Sequence, residues 1–299
     1  MYLLDDLLKQ RENFSVIMGH SHYELANVLK KYDVIDNIWS LAMIVRPDIS
    51  MSCDFIGNHI DELNTTYDML SGDKSKQNMQ DYLNVQLTRS GDYIVNNFDK
   101  NCTYFDNDVI VLDDNEMYLD VGAYDGTSID QFILKTDNRY SKVLALEVMK
   151  NMCKSLKNKY NDSRIQIVNT GVSDHIGYDY FDFNDQSTCL SGSTHGERIE
   201  VNTIDSICDK YGVNPTIMKM CIGNTIIPIL SGGEQIISEL PKMIITAGID
   251  PYALIEYIPA IEELSGSDKY DYYLRYTSAM AECLVLIAKP KDNIKKLYR

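Results

Sequence analysis

From residue 117 onward the chain alternates short apolar runs with helical patterns, and this alternation limits the folds open to it. MYLDV (117–121), KVLALEV (142–148) and RIQIVNTGVSD (164–174) are strand-length runs, the last trailing into a loop. The stretches between them, 127–135 and 151–160, place apolar residues three and four apart, as helices do. Strands that alternate with helices form βα units around a parallel sheet covered by helices on both faces. RIEVNTIDSI (198–207), TIMKMCI (216–222), KMIITAGI (242–249) and ECLVLIAK (282–289) supply further strands, and 177–183 has the Tyr/Phe alternation of another. The expectation is an α/β fold with a doubly wound, mostly parallel sheet.

Residues 1–106 read differently. Segment 5–11 and the stretch 61–87, interrupted at Ser71-Gly72-Asp73, are helical in pattern. FSVIMGHSHYELANVLKKYDV (14–34) reads as a small strand-turn-helix, with Ser21 as helix N-cap after Gly19-His20. The expected organisation is therefore a mainly helical N-terminal region, 1–106, followed by an α/β domain, 107–299. Segment 186–198, rich in Gly and Ser, is expected to be a loop. The 21 tyrosines are expected to lie mostly half-buried, ring inward and hydroxyl in water.

A formal net charge of −16 argues against nucleic-acid binding, which requires a basic footprint to displace counterions. The nearest basic cluster, Lys289 to Arg299, reads as a solvated end. The seven cysteines are scattered, with no CxxC pair, so neither a zinc ribbon nor a redox motif is expected. Single cysteines suit a reducing cytoplasm. The start, MYLLDDLLKQRENF, carries acids and no long apolar run, unlike a signal peptide, and no stretch is long enough to span a membrane. The five histidines are dispersed without HExxH, so no metal site is expected.

YLDVGAYDGTS (118–128) carries the chemistry. A strand ending at Asp120-Val121 places Gly122 at its carboxyl end, where open α/β sheets bind ligands. Glycine permits a sharp turn and close backbone approach, Gly126 repeats that freedom, and a helix starting near Thr127 directs free N–H groups at the same place. A dinucleotide fingerprint requires glycine two positions after Gly122. Tyr124 stands there instead, against close pyrophosphate contact. The spacing suits S-adenosylmethionine, with acids near the turn complementing its amine and sulfonium. Glu147, about 20 residues on at the end of the next strand, is placed to accept hydrogen bonds from ribose hydroxyls.

With these motifs in order, the sequence resembles the FkbM-type methyltransferase family, a divergent member with a class I, Rossmann-like fold. TYFDNDVIVLDDNEMYLDVGAYDGTSIDQF (103–132), RIQIVNTGVSD, RIEVNTIDSI, TIMKM and IPILSGGEQIISELPKMII follow in the family's sequence over residues 100–290. The resemblance implies that Asp120, Gly122, Tyr124, Asp125 and Gly126 form the cofactor turn, that Glu147 holds the ribose, and that Gly171, Val172 and Ser173 lie near the adenine with Asp174 close by. It implies transfer of a methyl group from S-adenosylmethionine to a hydroxyl or amine of a sugar, glycan or small metabolite.

The departures lie in the acceptor half. Val148-Met149 replace a proline and an acid. Cys221, Gly223 and Ile226 stand where the family carries three acids, and Gly248-Ile249 where it carries Tyr-His. Acids there would be natural bases or cation ligands, so no residue is assigned as catalyst. Cys221 reads as an inert strand-end thiol, Lys219 as an ion-pairing lysine and Asp250 as a turn residue. Two readings follow: a methyltransferase with an altered acceptor site, or a catalytically degenerate relative acting as a partner subunit, scaffold or homo-oligomer. A nucleotide-dependent oxidoreductase is weakened by Tyr124.

Overall fold

The structure, a computed structural model, describes residues 9, 13–18, 28–29, 31–40, 50–97, 103–105, 108–181, 190–191, 196–223, 226–278 and 280–292. The expected helix at 5–11 and the turn at 19–22 fall largely outside them. Strand β1 (Phe14–Met18) pairs in parallel with β2 (Ile35–Ser40) in a two-stranded sheet, so the small N-terminal unit carries a second strand that was not expected. Helices α1 (Cys53–Asn58), α2 (Ile60–Met69), α3 (Asp73–Thr88) and α4 (Asp92–Asn97) follow. Ser52 caps α1, accepting the Phe55 N–H at 3.0 Å. The break at 71–72 falls between α2 and α3 as expected.

The α/β part opens with β3 (Met117–Val121), α5 (Thr127–Lys135), β4 (Lys142–Glu147), α6 (Lys150–Lys159) and β5 (Ile165–Asn169). Next come β6 (Gly171–Val172), β7 (Gly177–Phe181), β8 (Leu190–Ser191) and β9 (Glu197–Asn202). They form a separate small sheet in the order β6-β9-β7-β8. The run 198–207 is not one strand. Thr203 ends β9 and caps α7 (Ile204–Tyr211), accepting from Ser206 N–H at 3.1 Å. Its side chain offers the backbone a helix start that apolar content alone does not reveal.

Strand β10 (Ile217–Met220), α8 (Ile226–Ser231), α9 (Glu234–Ser238), β11 (Lys242–Thr246), α10 (Ala253–Ser265), β12 (Tyr270–Tyr276) and β13 (Leu284–Pro290) complete the chain. The main sheet, among the described residues, has seven strands in the order β12-β13-β11-β10-β3-β4-β5. Strands β11, β10, β3, β4 and β5 run parallel, and β13 is antiparallel to both β11 and β12. This is the doubly wound, mostly parallel sheet expected. Strand order reverses between β3 and β10, so a crevice opens at their carboxyl ends.

Alternating side chains feed two cores. Leu119, Val121, Met218 and Met243 face one core together with Met79, Tyr82 and Val85 of α3, so the N-terminal helices and the sheet share it. Tyr118, Phe105, Phe132 and Tyr140 build the other, an aromatic cluster behind β3. Many tyrosines are buried outright, not half-buried: Tyr82, Tyr118 and Tyr257 are 0% exposed. The hydroxyls of Tyr82 and Tyr270 find backbone carbonyls inside the fold, Gly248 O and Pro241 O, and so need no water.

Candidate functional site

The turn after β3 is assembled by backbone bonds to β4. Gly122 and Ala123 donate their N–H groups to the Leu146 carbonyl at 2.9 and 3.1 Å, which leans the chain over its neighbour strand. Gly122 has φ +79°, and a Cβ there would stand 2.4 Å from the Cys221 carbonyl oxygen. Tyr124 is left-handed at φ +47°, a conformation that costs a non-glycine residue about 1–2 kcal/mol. Its N–H donates to Glu147 Oε2 at 2.8 Å, which helps hold it there. Gly126, at φ +83°, closes the turn with a Cβ position 2.4 Å from the Tyr160 hydroxyl. That hydroxyl is 2.8 Å from the Gly126 carbonyl and 2.8 Å from Asp130 Oδ1. Asp125 Oδ1 accepts the Thr127 N–H at 2.9 Å, just before α5 begins to turn. Burial pushes the Asp125 carboxyl up, but this bond and the nearby Lys159 charge outweigh it and leave it below its ordinary range.

Glu147 is 4% exposed. Oε2 takes Tyr124 N–H and Oε1 takes Met149 N–H, both at 2.8 Å. Burial raises its carboxyl above the ordinary range, while the Met149 and Tyr124 amides and then the Lys219 charge pull the other way. A carboxylate offers about four lone-pair positions, so two donors leave room for a diol. The donor and acceptor set at the end of β4 therefore fits a ribose.

Asp120 is 0% exposed and committed on both oxygens. Oδ2 accepts from Ser128 Oγ at 2.5 Å and Oδ1 from Lys219 Nζ at 3.0 Å. Lys219 Nζ also donates to the Gly122 carbonyl at 2.8 Å. The side chain of Asp120 is thus satisfied inside the protein, and it does not lie open to an amine or sulfonium as an acid near the turn was expected to. It meets a ligand only through the turn that it fixes. Lys219 is the ion-pairing lysine expected from its position. Ser128 and Tyr160 were not singled out. Ser128 was legible as a polar residue in the first turn of α5, whereas Tyr160 reaches Gly126 from the end of α6 with no local signal.

Val172 lies in β6 of the four-stranded sheet, and Ser173 follows it. Gly171 and Val172 pair with Val201 and Asn202 of β9. The Val172 side chain joins the main core, and Ser173 N–H donates to Asn202 O at 3.1 Å. Behind them Gly232 comes so close that a Cβ would stand 2.2 Å from Ser173 O. Asp174 Oδ1 turns to His175 Nδ1 at 2.8 Å. The backbone bonds of this segment thus run to β9, while its polar side chains bond one another. Asn169, at the carboxyl end of β5, donates to the Glu147 and Val148 carbonyls at 2.9 and 2.8 Å and ties down the segment after Glu147.

On the acceptor side, Cys221 is partly exposed, with its Sγ 3.9 Å from the Tyr104 hydroxyl. The Tyr104 ring centre lies 5.5 Å from Lys219 Nζ, and burial holds its phenol well above the ordinary range. Gly223 is buried, and Ile226 begins α8 as a core residue. At Gly248 a Cβ would stand 2.1 Å from the Ala281 carbonyl oxygen, so the short 3-10 turn Ala281–Cys283 presses against the carboxyl end of β11. Tyr82 of α3 donates to Gly248 O at 3.3 Å. Asp250 is the turn residue expected: Oδ1 takes Tyr252 N–H and Oδ2 the Tyr257 hydroxyl, both at 2.9 Å. Among the described residues no group of three His, Cys, Asp or Glu side chains could hold a metal ion, and no helix is long and apolar enough to cross a membrane.

No protein-family model matches this chain, and no curated protein matches it. Solved structures do. The FkbM methyltransferase of Methylobacillus flagellatus KT aligns over 92% of this chain and 73% of its own, with 21% identity and a TM-score of 0.71. A precorrin-6y C5,15-methyltransferase of Geobacter metallireducens GS-15 aligns over 60% of this chain and 82% of its own, with 12% identity and a TM-score of 0.37. M. capricolum TrmK in complex with S-adenosyl-homocysteine aligns over 61% of this chain and 65% of its own, at 14% identity and a TM-score of 0.37. The first of these, with the strand order above, gives the chain the class I methyltransferase fold, extending into the N-terminal helices.

Proposed function

We propose that this protein binds S-adenosylmethionine at the β3 turn and transfers its methyl group to a hydroxyl or amine of a sugar, glycan or small metabolite, through an acceptor site that differs from the family pattern. The observation that carries the reading is Glu147: a buried carboxylate at the end of β4, tied by one oxygen to the Tyr124 amide of the glycine turn. A dinucleotide fits less well, because Tyr124 stands where close pyrophosphate approach needs glycine.

When bound, the cofactor supplies an electrophilic methyl group, so the protein's share of the work is position. Glu147 would hold the ribose hydroxyls. Gly122 and Gly126 would let the backbone close on the ligand, and Asp120, Ser128 and Lys219 would keep that backbone rigid. Val172 and Ser173, on the segment that follows β5, would lie near the adenine. On the acceptor side the residues at 221, 223 and 226 carry no carboxylate, so an acceptor that is already nucleophilic, such as an amine, suits the site better than an alcohol needing a base.

Calorimetric titration with S-adenosylmethionine, S-adenosylhomocysteine and NAD tests the reading. Micromolar binding of the first two and none of NAD is expected. Binding of NAD alone would overturn it. Binding of neither methyl cofactor would also overturn it and leave the reading of a catalytically degenerate relative.

A further inference from the structure

Lys219 is a charged side chain buried beside the glycine turn. It is 3% exposed, and its ammonium spans two strands, 3.0 Å from Asp120 Oδ1 of β3 and 2.8 Å from the Gly122 carbonyl. Holding a turn could be left to a neutral donor. Burial works against the charge, but Asp120, followed by Cys221 and Glu147, holds the ammonium above the ordinary lysine range. Three buried ionisable groups therefore bear on the turn: Asp120, Lys219 and Glu147. Two of them cancel, leaving Glu147 as the uncompensated carboxylate.

S-adenosylmethionine and S-adenosylhomocysteine share every group except one methyl and the positive charge on sulfur. The ratio of their affinities therefore reads the net charge of the site, whereas a change in the shape of the turn weakens both. We infer that Lys219 is a specificity-determining residue: by cancelling Asp120 it sets how strongly the site prefers the cationic cofactor over its neutral product. The inference rests on the S-adenosylmethionine reading. It also gives the lysine a purpose in turnover, since an unopposed second carboxylate would hold the cation more tightly than catalysis requires.

The test is the ratio of the two dissociation constants in the wild type, Lys219→Met, Asp120→Asn and the double variant, with folding followed by circular dichroism. One unit of charge in a partly buried site shifts such a ratio by about tenfold. Lys219→Met is expected to shift the ratio toward S-adenosylmethionine and Asp120→Asn toward S-adenosylhomocysteine. The double variant should return to the wild-type ratio even if both affinities fall. If Lys219→Met does not fold, the step from Asp120→Asn to the double variant carries the same about tenfold shift. Ratios that agree within the error of titration across the folded variants would overturn the inference and leave the cofactor reading intact. A wild type that binds neither ligand would overturn both.

Discussion

At the residue scale, Asp120 shows how far a motif can be read. Its place before the glycine turn was legible, and so was Glu147 at the next strand end. Its role was not, because Ser128 and Lys219 reach it from eight and ninety-nine residues away. Read as a ligand contact, Asp120→Ala would cost binding only. Read in the fold, it strands a buried ammonium, and we expect Asp120→Ala to lower unfolding free energy by about 3–5 kcal/mol, measured from urea midpoints. A loss below about 1 kcal/mol would mean that Lys219 finds another partner. Tyr124 offers the opposite sign. Asparagine tolerates the left-handed region better than tyrosine, so Tyr124→Asn is expected to gain about 0.5–1 kcal/mol, visible as a higher melting temperature. Glu147 brings a pH dependence to binding. Its ionised form is the acceptor, and burial raises its pKa above the ordinary 4.5. Cofactor affinity should therefore fall on acidification while the pH is still above 4.5, and Glu147→Gln should remove that dependence.

At the scale of elements, the βα units were legible because each carries its own period. Helix α5 lies at 127–135, where the sequence puts it. Others, besides β2, were not. Helix α7 hid behind the apolar content of 198–207, and β12, YDYYLRY, has tyrosines where a core strand ordinarily has aliphatics. Its Tyr272 is nonetheless buried and Tyr270 bonds inward. The link between β4 and β5 makes a prediction of its own. Arg164 donates from Nη2 to Asp162 Oδ2 at 2.7 Å and to Asn138 Oδ1 at 2.8 Å, and stacks 4.0 Å from the Tyr140 ring centre. The hydrogen bonds from Arg164 lower the Asp162 carboxyl from 3.8 to about 2. A depressed acid contributes stability that is present above its unfolded pKa and lost as pH falls through its folded one. Asp162→Asn should therefore remove part of the loss of stability between those two values, measured as the denaturation midpoint against pH. An unchanged slope there would show that the pair contributes nothing.

At the scale of the whole molecule, the division of the chain at residue 106 has to accommodate the way α3 meets the sheet. Asn78 Nδ2 donates to Leu274 O at 2.8 Å, Arg275 Nη1 donates to Ser75 Oγ at 2.9 Å, and Ser71 N–H continues the edge of β12 by bonding Tyr272 O at 2.8 Å. With one core shared across that line, calorimetry should give a single transition with equal calorimetric and van't Hoff enthalpies. Two separated transitions would make the helices an independent unit. The order of strands in the sheet carries a further consequence. Strand β13 lies between β11 and β12, although it leaves the ribosome after both. Until it emerges, β11 has an open edge during translation, of the kind that invites pairing with another chain. The nascent protein is thus open to aggregation between the emergence of β11 and that of β13, and a chaperone that shields that edge would raise its yield.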